Sequence, residues 1–327
     1  MIFALAVTGP TASGKTALSL ELAERLSGEI IGCDSMQIYK RMSIGTAKPT
    51  VEEQSRAPHH MIDFLSPEES FSAQSYRDMA IPVAEDIVRR GRLPIFVGGT
   101  GLYIDSLMRV GQAASPESDP EYRAALLSEA ASPEGARGLW ERLKSVDPES
   151  AEAIHKNNVK RVIRALEIYD KTGKRKSELD KLSAEPASEI SIGLLTLDFH
   201  NRENLYSRAD KRVDIMISEG LLEETKELYS DGIFDNSPTA SQAIGYKELL
   251  PYIKGECGLE DAVEALKMAT RRYAKRQLTW FRHEKDAVRI YLDTEDGEMR
   301  SYGELVDETV RAAESLMSEY ERKITER

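Results

Sequence analysis

Two rhythms of apolar residues alternate along this chain. Runs that are apolar at nearly every position occur at 2–8 (Ile2-Phe3-Ala4-Leu5-Ala6-Val7, then Thr8), 29–33, 93–97, 192–197 and 288–292. Such runs suit strands buried on both faces, where neither side of the sheet meets water. Elsewhere the apolar residues recur every three or four positions. Leu18, Leu22 and Leu26 form one helical stripe, and similar spacing over 72–90, 203–218, 221–230 and 260–282 predicts further helices. Strands alternating with helices predict an α/β fold, a parallel sheet flanked by helices. Residues 98–191 carry no strand run. That stretch opens with a polar, proline-bearing segment at 111–120 and closes with another at 183–188, and between them the pattern is helical with breaks at Pro133 and Pro148. The expected organisation is a core of 1–120 and 190–327 interrupted by an all-helical insertion at 121–189.

The turn after the first strand carries the clearest chemistry. Gly9-Pro10-Thr11-Ala12-Ser13-Gly14-Lys15-Thr16 matches the phosphate-cradling pattern G-x-x-x-x-G-K-[ST], placed between a strand and the start of a helix. There the loop N–H groups and the helix dipole favour anionic oxygens, Lys15 neutralises them, and the Thr16 hydroxyl can ligate magnesium. The core is therefore expected to be P-loop NTPase-like and to bind a di- or triphosphate. A bare glycine turn is the competing explanation, and the strand–loop–helix context argues against it.

Composition changes the picture in one respect. The 41% hydrophobic and 31% charged residues describe a globular chain. Cys33 and Cys257 make no metal-ligand pattern, and Cys33 reads as a small buried hydrophobe. There is no apolar run near ~18 residues and no charged leader with a cleavage site, so a cytoplasmic protein without a membrane anchor is expected. The net charge of −12 is unevenly spread. Residues 155–176 hold eight Lys or Arg against Glu167 and Asp170, and residues 267–285 hold seven against Glu284. Basic segments on an acidic body suit a polyanion, although solvated helix faces look the same at this level.

Three further groups stand at strand ends or on helix faces. Asp34 follows the second strand, where a carboxylate can bind magnesium, orient a nucleophile or accept its proton; it could equally cap the next turn. The third strand ends in Gly98-Gly99-Thr100-Gly101, offering backbone access and one hydroxyl in place of a second acidic magnesium handle. Arg161 and Arg164 share a helix face, as do Arg208 and Arg212, and also Arg272 and Arg276.

Taken together, these stretches resemble the tRNA dimethylallyltransferases (tRNA isopentenyltransferases). The resemblance rests on 9–16, Asp-Ser-Met-Gln-Ile-Tyr at 34–39, Ile-Gly-Thr-Ala-Lys-Pro at 44–49 and Ala-Pro-His-His at 57–60. It continues through Gly-Gly-Thr-Gly-Leu-Tyr at 98–103, Lys-Arg-Val-Ile-Arg-Ala-Leu-Glu at 160–167, Ile-Gly-Tyr-Lys-Glu at 244–248 and Ala-Lys-Arg-Gln-Leu-Thr-Trp-Phe-Arg at 274–282. It spans nearly the whole chain in order, and it is to the bacterial type, without the zinc module of eukaryotic relatives.

The resemblance implies transfer of a dimethylallyl group from dimethylallyl diphosphate to the exocyclic N6 amine of adenosine at tRNA position 37. Gly9 to Thr16 would hold the diphosphate, with Thr16 on Mg2+. Lys15 and Arg212 would stabilise the leaving group, Asp34 would take the amine proton, and Thr100 would help hold base and donor. Asp34, Ser35, Met36, Gln37 and Thr100 would contact the flipped adenosine. Arg123 and Lys160, Arg161, Val162, Ile163 and Arg164 would grip the anticodon stem-loop. A monomer is expected. Other readings at this stage are a small-molecule kinase, a transferase acting on free adenine nucleotides, and a non-catalytic tRNA-binding module. The basic insertion disfavours the first two, and intact Lys15, Thr16, Asp34 and Thr100 disfavour the last.

Overall fold

The computed structural model describes residues 1–109, 119–182, 189–237 and 239–326. Linker residues 111–118 and 183–188 lie outside them. The chain forms two compact units, 1–105 with 189–327 and 106–188. The second unit therefore begins ahead of the expected residue 121, because the helix after the fourth strand already crosses the boundary.

In chain order the first unit opens with β1 (Ile2–Thr8), α1 (Lys15–Arg25), β2 (Gly28–Gly32), α2 (Val51–Arg56), β3 (His59–His60), α3 (Ala73–Arg89), β4 (Leu93–Val97) and α4 (Gly101–Met108). The insertion holds α5 (Pro120–Glu129), α6 (Pro133–Val146), α7 (Pro148–Ala153), α8 (Val159–Thr172) and α9 (Lys176–Leu182). The first unit resumes with β5 (Ile190–Asp198), α10 (Arg202–Ser218), α11 (Leu221–Ser230), α12 (Ile233–Asn236), α13 (Leu250–Ile253), α14 (Leu259–Phe281), β6 (Val288–Tyr291) and α15 (Tyr302–Thr325).

The six strands form one wholly parallel sheet in the order β3-β2-β4-β1-β5-β6. β1 lies at its centre, with Val7 opposite Val97 of β4 and Leu195 of β5. Leu5, Leu20, Ile30, Ile95 and Leu195 pack in one cluster with Ala313 of α15. Leu18, Leu197, Ala274, Leu278 and Ile290 pack in another. The five predicted strands match within a residue or two at their ends. Patterning assigned nothing to β3, which is too short to show a period, or to α15, a 24-residue helix. α15 opens with a capping box, Ser301 and Glu304 exchanging hydrogen bonds at its first turn, and buries Leu305, Val306, Thr309 and Ala313.

The parallel arrangement sends the carboxyl end of every strand to one edge, where a ligand crevice opens. Three chain reversals meet there. Gly9 and Gly14 take positive φ angles of 134° and 88° in the turn after β1. Cys33 leads from β2 into Asp34, its thiol fully buried and pushed up to about 12 chiefly by that burial, which makes it an inert hydrophobe. After β4, Gly98 passes so close to Cys33 that a Cβ on Gly98 would stand 1.9 Å from the Cys33 carbonyl oxygen. Only glycine allows that approach.

In the insertion, Pro120, Pro133 and Pro148 each start a helix, behind the capping side chains Asp119, Ser132 and Asp147. The two prolines read as breaks thus mark first turns. Leu126, Leu139, Leu143, Val162, Ile163 and Leu166 form its core. No described helix is long and apolar enough to cross a membrane.

Candidate active site

A cavity of 380 Å³ opens at the carboxyl edge of the sheet within the first unit. Thr11, Ala12, Gly14, Lys15 and Thr16 line one side, Asp34 to Gln37 another, and Gly45 to Ala47 with Gln242 to Gly245 a third. Lys15, Arg212, Lys247 and Arg276 line it, and Asp34 is the one carboxylate among the described lining residues, so its surface is strongly cationic.

The phosphate loop is built around that cavity. Gly14 precedes α1 in the left-handed region and no side chain caps the helix, which leaves the first-turn N–H groups of α1 to a ligand. Ser13 turns inward, its hydroxyl donating to the Pro10 carbonyl at 2.8 Å. Lys15 folds back to donate to the carbonyls of Gly9 (3.1 Å) and Pro10 (2.8 Å). Lys15 is half-buried and lines the cavity. Burial, and then the charge of Arg212, lower its pKa to about 7, against the opposing pull of Asp34. Arg212 makes no hydrogen bond with any described residue. A guanidinium without a hydrogen bond, beside a lysine whose proton it repels, gives the cavity donors that suit an anion.

α10 reaches the loop twice. Arg212 faces the cavity, and one turn earlier Arg208 Nε donates to the Ala12 carbonyl at 2.8 Å, bracing a residue held at φ 63°. The arginine pair read on this helix is thus divided, one strut and one cavity cation.

Asp34 caps the turn after β2 and also lines the cavity. Its Oδ1 accepts the Met36 N–H at 2.9 Å. Thr100 stands beside the cavity and outside its lining. Its hydroxyl accepts the Ser35 N–H at 3.0 Å, tying the turn after β4 to the turn after β2. Gln37 Nε2 donates to the carbonyls of Thr46 (3.1 Å) and Ala47 (2.9 Å), which holds the segment 44–49 against it. That segment is pinned again by Glu224 of α11, a residue the sequence did not single out. Glu224 accepts from the N–H groups of Ser43 (3.0 Å), Ile44 (2.9 Å) and Gly45 (3.1 Å), and the Tyr246 hydroxyl donates to it at 2.7 Å. One carboxylate thereby joins the segments 44–49 and 244–248 into a cavity wall.

For magnesium, the donor set fits only with help. Among the described residues no three His, Cys, Asp or Glu side chains gather as a metal site. The Thr16 hydroxyl lines the cavity without a hydrogen bond of its own. A cation here would depend on Thr16, phosphate oxygens and water, the usual habit of magnesium.

The insertion's basic residues divide sharply. Lys160 and Arg161 are exposed and pair with no carboxylate among the described residues. Val162 and Ile163, expected with them at an RNA interface, are 1% and 2% exposed and belong to the core, so their side chains serve packing alone. Arg123 and Arg164 converge on the buried Glu167 carboxylate, Arg123 through two hydrogen bonds at 3.0 and 2.7 Å. Two arginines on one carboxylate neutralise it and leave a net positive charge. In the second basic segment, Lys267, Arg271 and Arg282 pair with Asp214, Asp210 and Asp198. Arg272, Lys275 and Arg276 have no carboxylate partner among the described residues.

The comparison with known proteins accords with this geometry. The family model for IPP transferase matches residues 37–284. The chain belongs to the IPP transferase family. Members of that family similar to it include a tRNA dimethylallyltransferase of Bacillus cereus (strain AH187), 49% identical over 90% of this chain and 91% of the relative. Another, of Thermoanaerobacter sp. (strain X514), is 47% identical over 84% of this chain and 87% of the relative. A crystal structure of the full-length tRNA isopentenylpyrophosphate transferase from Bacillus halodurans is 40% identical, with a TM-score of 0.71 over 99% of each chain. A eukaryotic dimethylallyltransferase acting on tRNA is 33% identical, with a TM-score of 0.73 over 89% of this chain and 74% of that one.

Because the free site holds Lys15 near pH 7, a bound diphosphate must restore its proton at higher pH. Lys15→Arg provides a reference that stays charged. Relative to it, wild-type affinity for inorganic diphosphate is level below pH about 7 and falls by about tenfold per unit above it. A ratio that stays flat up to about pH 9 would mean that Lys15 does not titrate there.

Proposed function

We propose that this enzyme transfers the dimethylallyl group of dimethylallyl diphosphate to the exocyclic N6 amine of adenosine 37 in tRNA, releasing diphosphate, as a monomer in the cytoplasm. The observation that carries the reading is the sharing of one cavity by two cations that pair with no carboxylate at hydrogen-bond distance, Lys15 and Arg212, and one carboxylate, Asp34. The cations suit a leaving diphosphate and the carboxylate suits a proton-shedding nucleophile.

The N–H groups at the start of α1 and the Lys15 ammonium bind the diphosphate, and Arg212 adds its guanidinium. As the allylic C–O bond breaks, its electron pair passes to the diphosphate oxygen, and these cations meet the charge where it grows. The allyl carbon tolerates cationic character, so stabilising the leaving group lowers most of the barrier. An adenine amine is a poor nucleophile because its lone pair is delocalised into the ring. The new C–N bond forms as the Asp34 oxygen not used on Met36 takes the N6 proton. Thr16 and the diphosphate oxygens would hold magnesium, which when bound neutralises phosphate charge.

An adenosine inside a loop stack must be flipped out to reach the cavity, at about a few kcal/mol. Gln37 offers its Oε1 to the flipped base, since its Nε2 is committed to Thr46 and Ala47. Lys160 and Arg161 supply a cationic face for the anticodon stem-loop, and Glu167 holds Arg123 and Arg164 in a fixed pair beside them.

In a diphosphate-release assay with tRNA, Asp34→Asn lowers turnover by about 10²-fold or more and leaves tRNA affinity within a few-fold. Unchanged release would remove Asp34 from the proton transfer. Charge reversal at Lys160 and Arg161 weakens tRNA binding and makes its salt dependence shallower by about two in log–log slope. Inorganic diphosphate binding stays as it was. A salt slope equal to that of the wild type would assign the RNA grip elsewhere.

A further inference from the structure

Gln277 lies on α14, lines the cavity, is far in sequence from the two loops it joins, and is 6% exposed. Its amide forks between them. Oε1 accepts the Thr11 N–H at 2.8 Å, and Nε2 donates to the Gly99 carbonyl at 2.9 Å. The amide's orientation is fixed by its partners, because a backbone N–H only donates and a carbonyl only accepts. Gly99 makes room for it: a Cβ there would stand 2.1 Å from Nε2.

The position of this fork explains what it does. Thr11 follows β1 and Gly99 follows β4, neighbouring strands whose pairing runs through Val7 and Val97. Gly98 N–H still reaches the Val7 carbonyl, at 3.3 Å. Past Val7 and Val97 the strand pairing ends, and no sheet rung among the described residues holds the two loops in register. The Gln277 amide supplies that rung from the side. It takes one phosphate-loop N–H away from any ligand, which makes sense only if placing the loop matters more than one extra donor. From Gly99 the path continues through Thr100, whose hydroxyl accepts the Ser35 N–H, to Asp34.

We infer that Gln277 is a positioning residue which sets the phosphate loop against the loop carrying Asp34, and so fixes the separation of leaving group and proton acceptor. The inference rests on the transfer reaction proposed above. Reacting groups displaced by about 1 Å cost on the order of 10²-fold in rate. Each half of the site, held by its own strand, keeps its ligand without the rung.

The test uses the full-length protein with magnesium, dimethylallyl diphosphate and unmodified tRNA. Gln277→Met keeps the volume and removes both bonds. It lowers kcat by about 10- to 100-fold, while the affinities for inorganic diphosphate and for tRNA each stay within about threefold. Gln277→Glu adds a signature that loss of packing cannot imitate. The protonated carboxyl offers one donor and one acceptor, as glutamine does, whereas the ionised form offers only acceptors and faces the Gly99 carbonyl. Its kcat relative to wild type therefore rises towards one on acidification and falls as the carboxyl ionises, and this signature remains readable if the Met variant fails to fold. A Met variant with kcat within about threefold of wild type, or a loss confined to donor affinity, overturns the inference. So does a Glu variant whose pH profile parallels the wild type. A wild-type protein that transfers no dimethylallyl group at all would instead remove the reaction, and this role with it.

Discussion

The site turns on a lysine taken out of water in the company of an arginine. Lys15 and Arg212 face one small cavity, and burial together with mutual repulsion drives the Lys15 pKa down to about 7. A protein tolerates such crowding where an anion arrives to relieve it. The sheet makes the arrangement possible. With all strands parallel and β1 central, the loops after β1, β2 and β4 open towards the same edge, and α10 and α14 bring side chains to them.

In the proposed reaction, the one carboxylate among the described lining residues, Asp34, takes the proton. Asp34 sits where a nucleotide hydrolase would use an acidic magnesium handle, but the turn after β4 brings no second one, only glycines and Thr100. A cationic cavity with one carboxylate among its described lining residues suits moving a group off a diphosphate onto a nitrogen. The struts matter as much as the charged groups. Arg208, Gln277 and Glu224 bond to backbone atoms of the loops, and each converts a loop into a wall.

How much of this could be read in the sequence depends on range. Local features were legible: the strands, the phosphate loop, Asp34 at a strand end, and the proline-bearing insertion. Each follows from residues close together in the chain. Arg212 was legible only through its spacing from Arg208, and that spacing said nothing of their different tasks. Long-range pairings left no signal. Glu224 and Gln277 are ordinary polar residues on amphipathic helices, and the loop backbone groups they bond lie 178 or more residues away. At 160–167 the spacing set Val162 and Ile163 apart from the Arg161 and Arg164 face, and only the resemblance placed them at an RNA interface. Val162 and Ile163 face the insertion's core, and Arg164 turns to Glu167 one helical turn on. α15 lay beyond the last recognised motif, although Ser301 and Glu304 carry a recognisable helix start.

The account stands on the pairing of an allylic diphosphate with an adenosine of tRNA. The most direct test incubates the purified protein with magnesium, radiolabelled dimethylallyl diphosphate and either unmodified tRNA or AMP, followed by digestion and nucleoside analysis. The account predicts label in one dimethylallyl-adenosine peak from the tRNA and none on AMP. Label on AMP alone, or none on either acceptor, would contradict it.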